Sequence, residues 1–105
     1  MAGAPGRIDS PTARIVSALI ERLNDEDNRV CGISAIALGR IGAPAETAVP
    51  HLIQKLNSSD SQVRGLSATA LGSIGSVAAP SVPALIRTLN DQNTRVRGMA
   101  TVALG

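Results

Sequence analysis

The chain of 105 residues contains no phenylalanine, tyrosine or tryptophan, one cysteine and one histidine. Without aromatic rings the core must be built from Ala, Leu, Ile and Val. Each contributes modestly, up to about 1.5–3 kcal/mol for a fully buried Leu or Ile. The same lack leaves no side chain on which a nucleic-acid base could stack. A lone cysteine, Cys31, allows no intrachain disulfide, so the chain does not read as a small secreted disulfide scaffold. The opening run Met-Ala-Gly-Ala-Pro-Gly-Arg has no apolar signal core, and no apolar run approaches a membrane span. A net charge of +2 without a basic run gives no electrostatic argument for a nucleic-acid or membrane surface. These exclusions lead to the expectation of a soluble, cytoplasmic protein that uses no membrane.

What the chain does have is repetition. Leu19, Leu52 and Leu85 stand 33 residues apart, and the same offset links Leu23 to Leu56 and Leu89, Val30 to Val63 and Val96, and Gly39 to Gly72 and Gly105. A fixed period of this size marks a solenoid, in which each unit buries its apolar face only against its neighbours, and about three units are the minimum for stability. The expected fold is therefore all-α, an α-solenoid of three antiparallel helix pairs. Residues 1–9, rich in Gly, Ala and Pro, read as a flexible leader, and residues 10–105 as the array, with repeats of about 10–42, 43–75 and 76–105.

Local signals place the helices. Ser10-Pro11 reads as an N-cap followed by proline at the first helical position, where its missing N–H costs nothing. Ile15, Val16, Leu19, Ile20 and Leu23 then recur at helical spacing, and Val49, Leu52, Ile53, Leu56 and Val82, Leu85, Ile86, Leu89 repeat the stripe. Pro50 and Pro83 sit near the starts of the later helices, where proline is tolerated. Each first helix ends in a polar turn whose last residue, Asp27, Asp60 or Asn93, is suited to cap a second helix. Gly39 with Gly42, and Gly72 with Gly75, supply the glycines expected at a helix C-terminus.

These residues carry a family resemblance. The run Val-Pro-x-Leu-Ile-x-x-Leu-Asn-Asp, followed by Val-Arg-Gly-x-x-x-x-Ala-Leu-Gly-x-Ile-Gly, resembles the HEAT repeat, and within it the phycobilisome-lyase HEAT-like subtype, over roughly residues 11–105. The family's helix-A proline corresponds to Pro50 and Pro83, and its helix-B valine to Val30, Val63 and Val96. The resemblance implies an inter-repeat hydrogen-bonded ladder of aspartate and arginine, carried here by Asp25, Asp91, Arg64 and Arg97. The chain departs from the pattern at Ser17, Cys31 and Ser58, where Pro, Arg and Asp would stand, so the ladder is expected to be incomplete and the first unit atypical.

A helical wheel of the second helix, centred on Val30, sets Gly32, Ala35 and Ile36 on its open side. The counterparts are Gly65, Ala68 and Thr69, then Gly98, Thr101 and Val102, none of them charged. If the array curves as the family does, this small, neutral stripe lines the concave face, with Arg64 and Arg97 on its flank. The expected partner-binding residues are accordingly Arg64, Arg97, Gly32, Gly65, Gly98, Ala35, Ala68, Thr69 and Thr101. A glycine inside a helix costs about 1 kcal/mol relative to alanine. Three in register mean either that a partner backbone comes close or that duplication copied an unimportant residue. The two arginines could grip a carboxylate or phosphate, or hold neighbouring units in register.

Catalytic readings are weaker. His51 is isolated and its counterparts are Ala18 and Ala84, so neither a metal site nor a catalytic triad is indicated. Cys31 has no histidine near it in sequence to activate it and reads as a semi-exposed free thiol. The run Asp25-Glu26-Asp27 complements a helix N-terminus, and the equivalent turns have lost most of the carboxylates a metal would need. No catalytic residue, metal or cofactor is assigned, and enzymatic activity is left open. The expected function is a non-catalytic protein–protein interaction scaffold. The alternative, an accessory or lyase-like role in bilin attachment to phycobiliproteins, rests on the family resemblance alone. Nucleic-acid binding is disfavoured. The last unit stops at Gly105 without an obviously polar outer face, which leads to the expectation of either a longer array or self-association through uncapped ends.

Overall fold

The computed structural model describes residues 10–105; the leader expected over residues 1–9 lies outside the described residues. The helices are α1 (Pro11–Arg22), α2 (Asn28–Ile41), α3 (Val49–Lys55), α4 (Ser61–Ile74), α5 (Val82–Thr88) and α6 (Thr94–Leu104), and no strand occurs among the described residues. They form three antiparallel hairpins, α1–α2, α3–α4 and α5–α6, stacked in chain order. The architecture is an all-α solenoid.

Side chains fix the start of each second helix. Asp27 Oδ1 accepts from the Arg29 N–H at 2.8 Å, Asp60 Oδ1 from the Val63 N–H at 3.0 Å, and Asn93 Oδ1 from the Arg95 N–H at 2.9 Å. Each cap is itself oriented by the residue two places earlier. The N–H of Asp27 donates to Asp25 Oδ1, that of Asp60 to Ser58 Oγ, and that of Asn93 to Asp91 Oδ1. Short polar side chains bonding backbone two residues on are what build such turns. Ser10 caps α1 by accepting from the Ala13 N–H at 3.0 Å, with Pro11 in the first turn.

The second helices α2 and α4 end at Gly42 and Gly75, whose φ values of 79° and 92° are open to glycine at little cost. The chain beyond these glycines departs from the simple helix expected from the apolar stripe. Ala43–Ala48 and Ser76–Ser81 are 3₁₀ turns, and only then do α3 and α5 begin. Pro44 and Pro50 in the one case, and Pro80 and Pro83 in the other, lack the N–H that a continuous α-helix would use. The first helices of the later units are therefore 7 residues long against 12 in α1.

The core runs through the stack as a column of Leu23, Leu38, Leu52, Val63, Leu71 and Val96, all nearly fully buried. Ala45, Ala48, Ala78 and Ser81 of the 3₁₀ turns are buried with it. Ile15, expected in the first apolar stripe, is instead 53% exposed. The second helices pack directly on one another, α2 on α4 and α4 on α6, whereas the 3₁₀ turns wedge between successive first helices. The closer spacing sets the second helices on the inner side of the stack.

Candidate functional site

A second helix in the middle of this stack is buried on three sides. It packs on the first helix of its own hairpin and on the second helix of the unit before and after. In α4 the buried residues accordingly include Val63, Arg64, Gly65, Ser67, Ala68, Ala70, Leu71 and Ile74. With Val63 as zero and about 100° per residue, Gly65, Ala68 and Gly72 fall at about 140–200°, the direction of the next unit. The open residues Gln62, Leu66, Thr69 and Ser73 fall at about 240–300°.

This overturns the placement expected for most of the small stripe. Gly32, Ala35, Gly65 and Ala68 are buried between helices and offer no surface. A Cβ on Gly32 would stand 2.8 Å from Leu66 Cδ1, and one on Gly65 would run into Met99 Sδ. Gly39 and Gly72, read as terminal glycines, lie inside their helices, where an added Cβ would come within 3.0 Å of the Cα of Ala70 and 2.7 Å of that of Ala103. These glycines let second helices approach closely. Of the expected stripe Ile36, Thr69, Gly98, Thr101 and Val102 are exposed, and both threonine hydroxyls donate back to the carbonyl four residues earlier. The sequence does hold a signal for this. Small residues at 32 and 39, or 65 and 72, lie two turns apart on one face, opposite a Leu or Met and an Ala of the following unit.

The inner surface that does face outward is a strip that shares Ile36, Thr69 and Val102 with the expected one. It runs from Arg29, Ile33, Ile36 and Arg40 on α2, through Gln62, Leu66, Thr69 and Ser73 on α4, to Arg95, Met99 and Val102 on α6. Ile33 is 66% exposed and Val102 79%. A groove of about 440 Å³ lies between α4 and α6, lined by Ser61, Gln62, Leu66, Asn93, Thr94, Arg95 and Met99. The surface was expected to be neutral, but it carries arginines, and α2, α4 and α6 contain no Asp or Glu. Arg29 pairs with the cap Asp27 at 2.9 Å, which holds that carboxyl below its ordinary value. Arg40 and Arg95 have no carboxylate partner among the described residues.

Arg64 and Asp91 meet between the second and third units. Arg64 Nε donates to Asp91 Oδ2 at 2.8 Å and Nη2 to Oδ1 at 3.1 Å, a two-pronged ion pair. Nη1 donates to the Ser58 carbonyl at 2.8 Å. These bonds hold the Asp91 carboxyl below, and the Arg64 guanidinium above, their ordinary values. Arg97 Nη1 donates to the Asp91 carbonyl at 2.9 Å and Nη2 to Thr94 Oγ1, with no carboxylate in reach. Asp25 accepts the Asp27 N–H and has no arginine beside it among the described residues. Cys31, expected to be semi-exposed, is 4% exposed, and its thiol donates to the Asp25 carbonyl at 3.0 Å. The side chains of 31, 64 and 97 thus all bond the carbonyl six residues back. Of the four ladder positions the structure brings Arg64, Arg97 and Asp91 together and leaves Asp25 apart.

Among the described residues no three His, Cys, Asp or Glu side chains converge as metal ligands, and no helix is long and apolar enough to cross a membrane. His51 is half-buried, away from Cys31 in the chain and in a different hairpin. What remains are shallow grooves on a stacked surface, the one between α4 and α6 and another of about 480 Å³ between α1 and the first 3₁₀ turn.

Stacked helical hairpins with small residues at each helix contact, and an arginine–aspartate pair between units, define an α-solenoid repeat protein. Residues 49–105 match the HEAT repeats family, which is more than half of the chain, and residues 30–58 match the PBS lyase HEAT-like repeat. The chain belongs to the HEAT-repeat family. No curated protein matches it.

Proposed function

We propose that the chain is a non-catalytic interaction scaffold whose inner face takes up an acidic, partly apolar segment of a protein partner. The observation that carries this reading is the pairing of exposed Ile33, Ile36 and Val102 with Arg40 and Arg95 on second helices that contain no carboxylate. Apolar contacts would supply most of the affinity, about 1.5–3 kcal/mol for an isoleucine fully covered. Exposed arginine pairs would add about 0.2–1 kcal/mol each and select the acidic partner. Exposed isoleucines have no counterpart on a phosphate backbone, which favours protein over nucleic acid.

The test is selection of peptides from a display library on the immobilised chain, followed by binding measurements. Acidic sequences with interspersed apolar residues should be enriched. They should lose binding to Ile36→Asp and Arg95→Glu but retain it on the outer variants Lys55→Glu and Arg87→Glu. Peptides that bind the inner variants as well as the wild type would overturn the reading. A duplex DNA control in a salt series separates phosphate binding, which weakens steeply as salt rises.

A second reading, an accessory role in bilin attachment to phycobiliproteins, is favoured by the match of residues 30–58 to the PBS lyase HEAT-like repeat. Likeness of fold does not establish chemistry. Incubation with a bilin and an apo-phycobiliprotein, with neither covalent pigment nor complex formed, would remove it.

A further inference from the structure

We infer that the groove between α4 and α6 is a pocket for one glutamate of the partner segment, about four residues along from the apolar residue that covers Ile33 and Ile36. This rests on the inner-face reading above and adds which part of that face takes the acid.

The two junctions between second helices differ at the cap residue. Asp60 caps α4 and Asn93 caps α6 at equivalent positions. Asp60 Oδ1 accepts the Val63 N–H, and its Oδ2 accepts from Asn28 Nδ2 on α2 at 3.3 Å. The junction of α2 with α4 is therefore bridged at that end and carries a carboxylate of its own. Arg29, the counterpart on α2 of Gln62, is drawn back onto Asp27. An anion arriving there meets a negative charge and an arginine that is already paired.

Between α4 and α6 these features are reversed. Asn93 is neutral, and its Oδ1 accepts the Arg95 and Val96 N–H groups at 2.9 and 3.3 Å. That bonding turns the Asn93 amide NH2 away from the helix end, and no acceptor meets it among the described residues. The shorter Ser61 stands in the place of Asn28. Arg95 has no carboxylate partner among the described residues. With Gln62 and Thr94, the walls offer donors from both helices over a floor of Leu66 and Met99, and no carboxylate lines the groove.

A glutamate suits this arrangement. Its two methylenes lie on the apolar floor, and its carboxylate reaches the donors of the walls. Packed helices stand about 8–10 Å apart, so the groove lies about 12–15 Å from α2, one and a half spacings, which an extended chain covers in about four residues. The apolar residue of the segment then falls on Ile33 and Ile36, which are exposed on α2.

Nuclear magnetic resonance titration of the isotope-labelled chain tests the inference. The probes are N-acetylated, C-amidated peptides with two adjacent leucines and a glutamate four residues away, in both chain orders, and their glutamine twins. At millimolar peptide the glutamate form should shift the amides of Gln62, Leu66, Arg95 and Met99 as well as those of Ile33 and Ile36. It should bind about 10-fold more tightly than the glutamine form, as hydrogen bonds to a charged group imply. Asn93→Asp keeps a capping side chain but puts a carboxylate in the groove, and should abolish that preference. Asp60→Asn also keeps its cap and should leave the preference intact. Groove amides that respond equally to both peptides would overturn the pocket, as would an Asn93→Asp chain that still prefers glutamate. Shifts confined to α2 would overturn it too, while the inner-face reading stands. No shift on any second helix with either peptide would overturn both.

Discussion

Asp91 holds three groups with one carboxylate: the Asn93 N–H that shapes its own turn, and Nε and Nη2 of Arg64 from the preceding unit. Both side chains of the ion pair are 11% exposed, so removal of one leaves the other poorly hydrated. Asp91→Ala should lower stability at neutral pH by about 1.5–3 kcal/mol, the range for hydrogen bonds to charged groups. Arg64→Lys should recover little, because an ammonium cannot span the two carboxylate oxygens and the Ser58 carbonyl together. The pH dependence has a fixed sign. Arg64 holds the folded Asp91 carboxyl below its ordinary 3.8. The stabilisation is therefore fully present above the unfolded carboxyl value of about 3.9 and is lost as pH falls through the lower, folded one. Urea midpoints at neutral pH and below pH 4 check this, since wild type should lose more on acidification than Asp91→Ala. The exposed pair Arg29–Asp27 makes a contrast. With the Arg29 side chain 86% exposed, Arg29→Ala should leave the urea midpoint unchanged.

At the scale of the element, the second helices are spaced by their glycines, and the glycines differ in what an added methyl would meet. Gly98 faces open space, so Gly98→Ala should stabilise by about 0.5–1 kcal/mol through helix propensity alone. Gly65→Ala meets the end of a flexible methionine side chain, which can turn aside, and should be close to neutral. Gly72→Ala meets the Cα and Cβ of Ala103 at 2.7 and 2.9 Å and must push α6 away, which should cost about 1–3 kcal/mol. Thermal unfolding of the three variants should rank Gly98→Ala above Gly65→Ala above Gly72→Ala, and any other order would show that helix spacing is not set by these contacts. The same residues show what was legible in the sequence. The caps Asp27, Asp60 and Asn93, the proline positions and the period of 33 residues act through bonds to near neighbours or through direct repetition, and each stands where it was expected. The open face was misplaced by about a quarter of a turn, because a wheel drawn on one helix contains no neighbouring unit. Gly65 and Ala68 look exposed on such a wheel and are in fact the floor of a helix–helix contact. The 3₁₀ turns escaped for a related reason: the apolar stripe of α3 and α5 is in phase, but prolines shorten the helix that carries it.

Across the whole molecule, the two junctions between units are built differently. The second has the Arg64–Asp91 pair, while at the first both partners are replaced, by Cys31 and Ser58. Cys31 keeps the local half of the arginine's work, its thiol bonding the Asp25 carbonyl, and gives up the half that reaches the next unit. In a stack where each unit touches only its neighbours, stability is a sum of unit and junction terms, so a junction can be strengthened by itself. Cys31→Arg alone should destabilise the chain by about 1–3 kcal/mol, because a buried position receives a guanidinium with no carboxylate to meet it. Ser58→Asp alone should change little, since its turn is partly open and the carboxylate can still accept the Asp60 N–H. Together they recreate the geometry of the second junction, and the double variant should exceed the sum of the single changes by about 0.5–3 kcal/mol, the range for directly contacting pairs. Urea unfolding of the four proteins measures this coupling. A steeper transition for the double variant would show the first hairpin unfolding in step with the other two, because the slope follows the surface exposed in one cooperative event. Coupling near zero would mean that close packing of α2 on α4 alone joins the first unit to the stack.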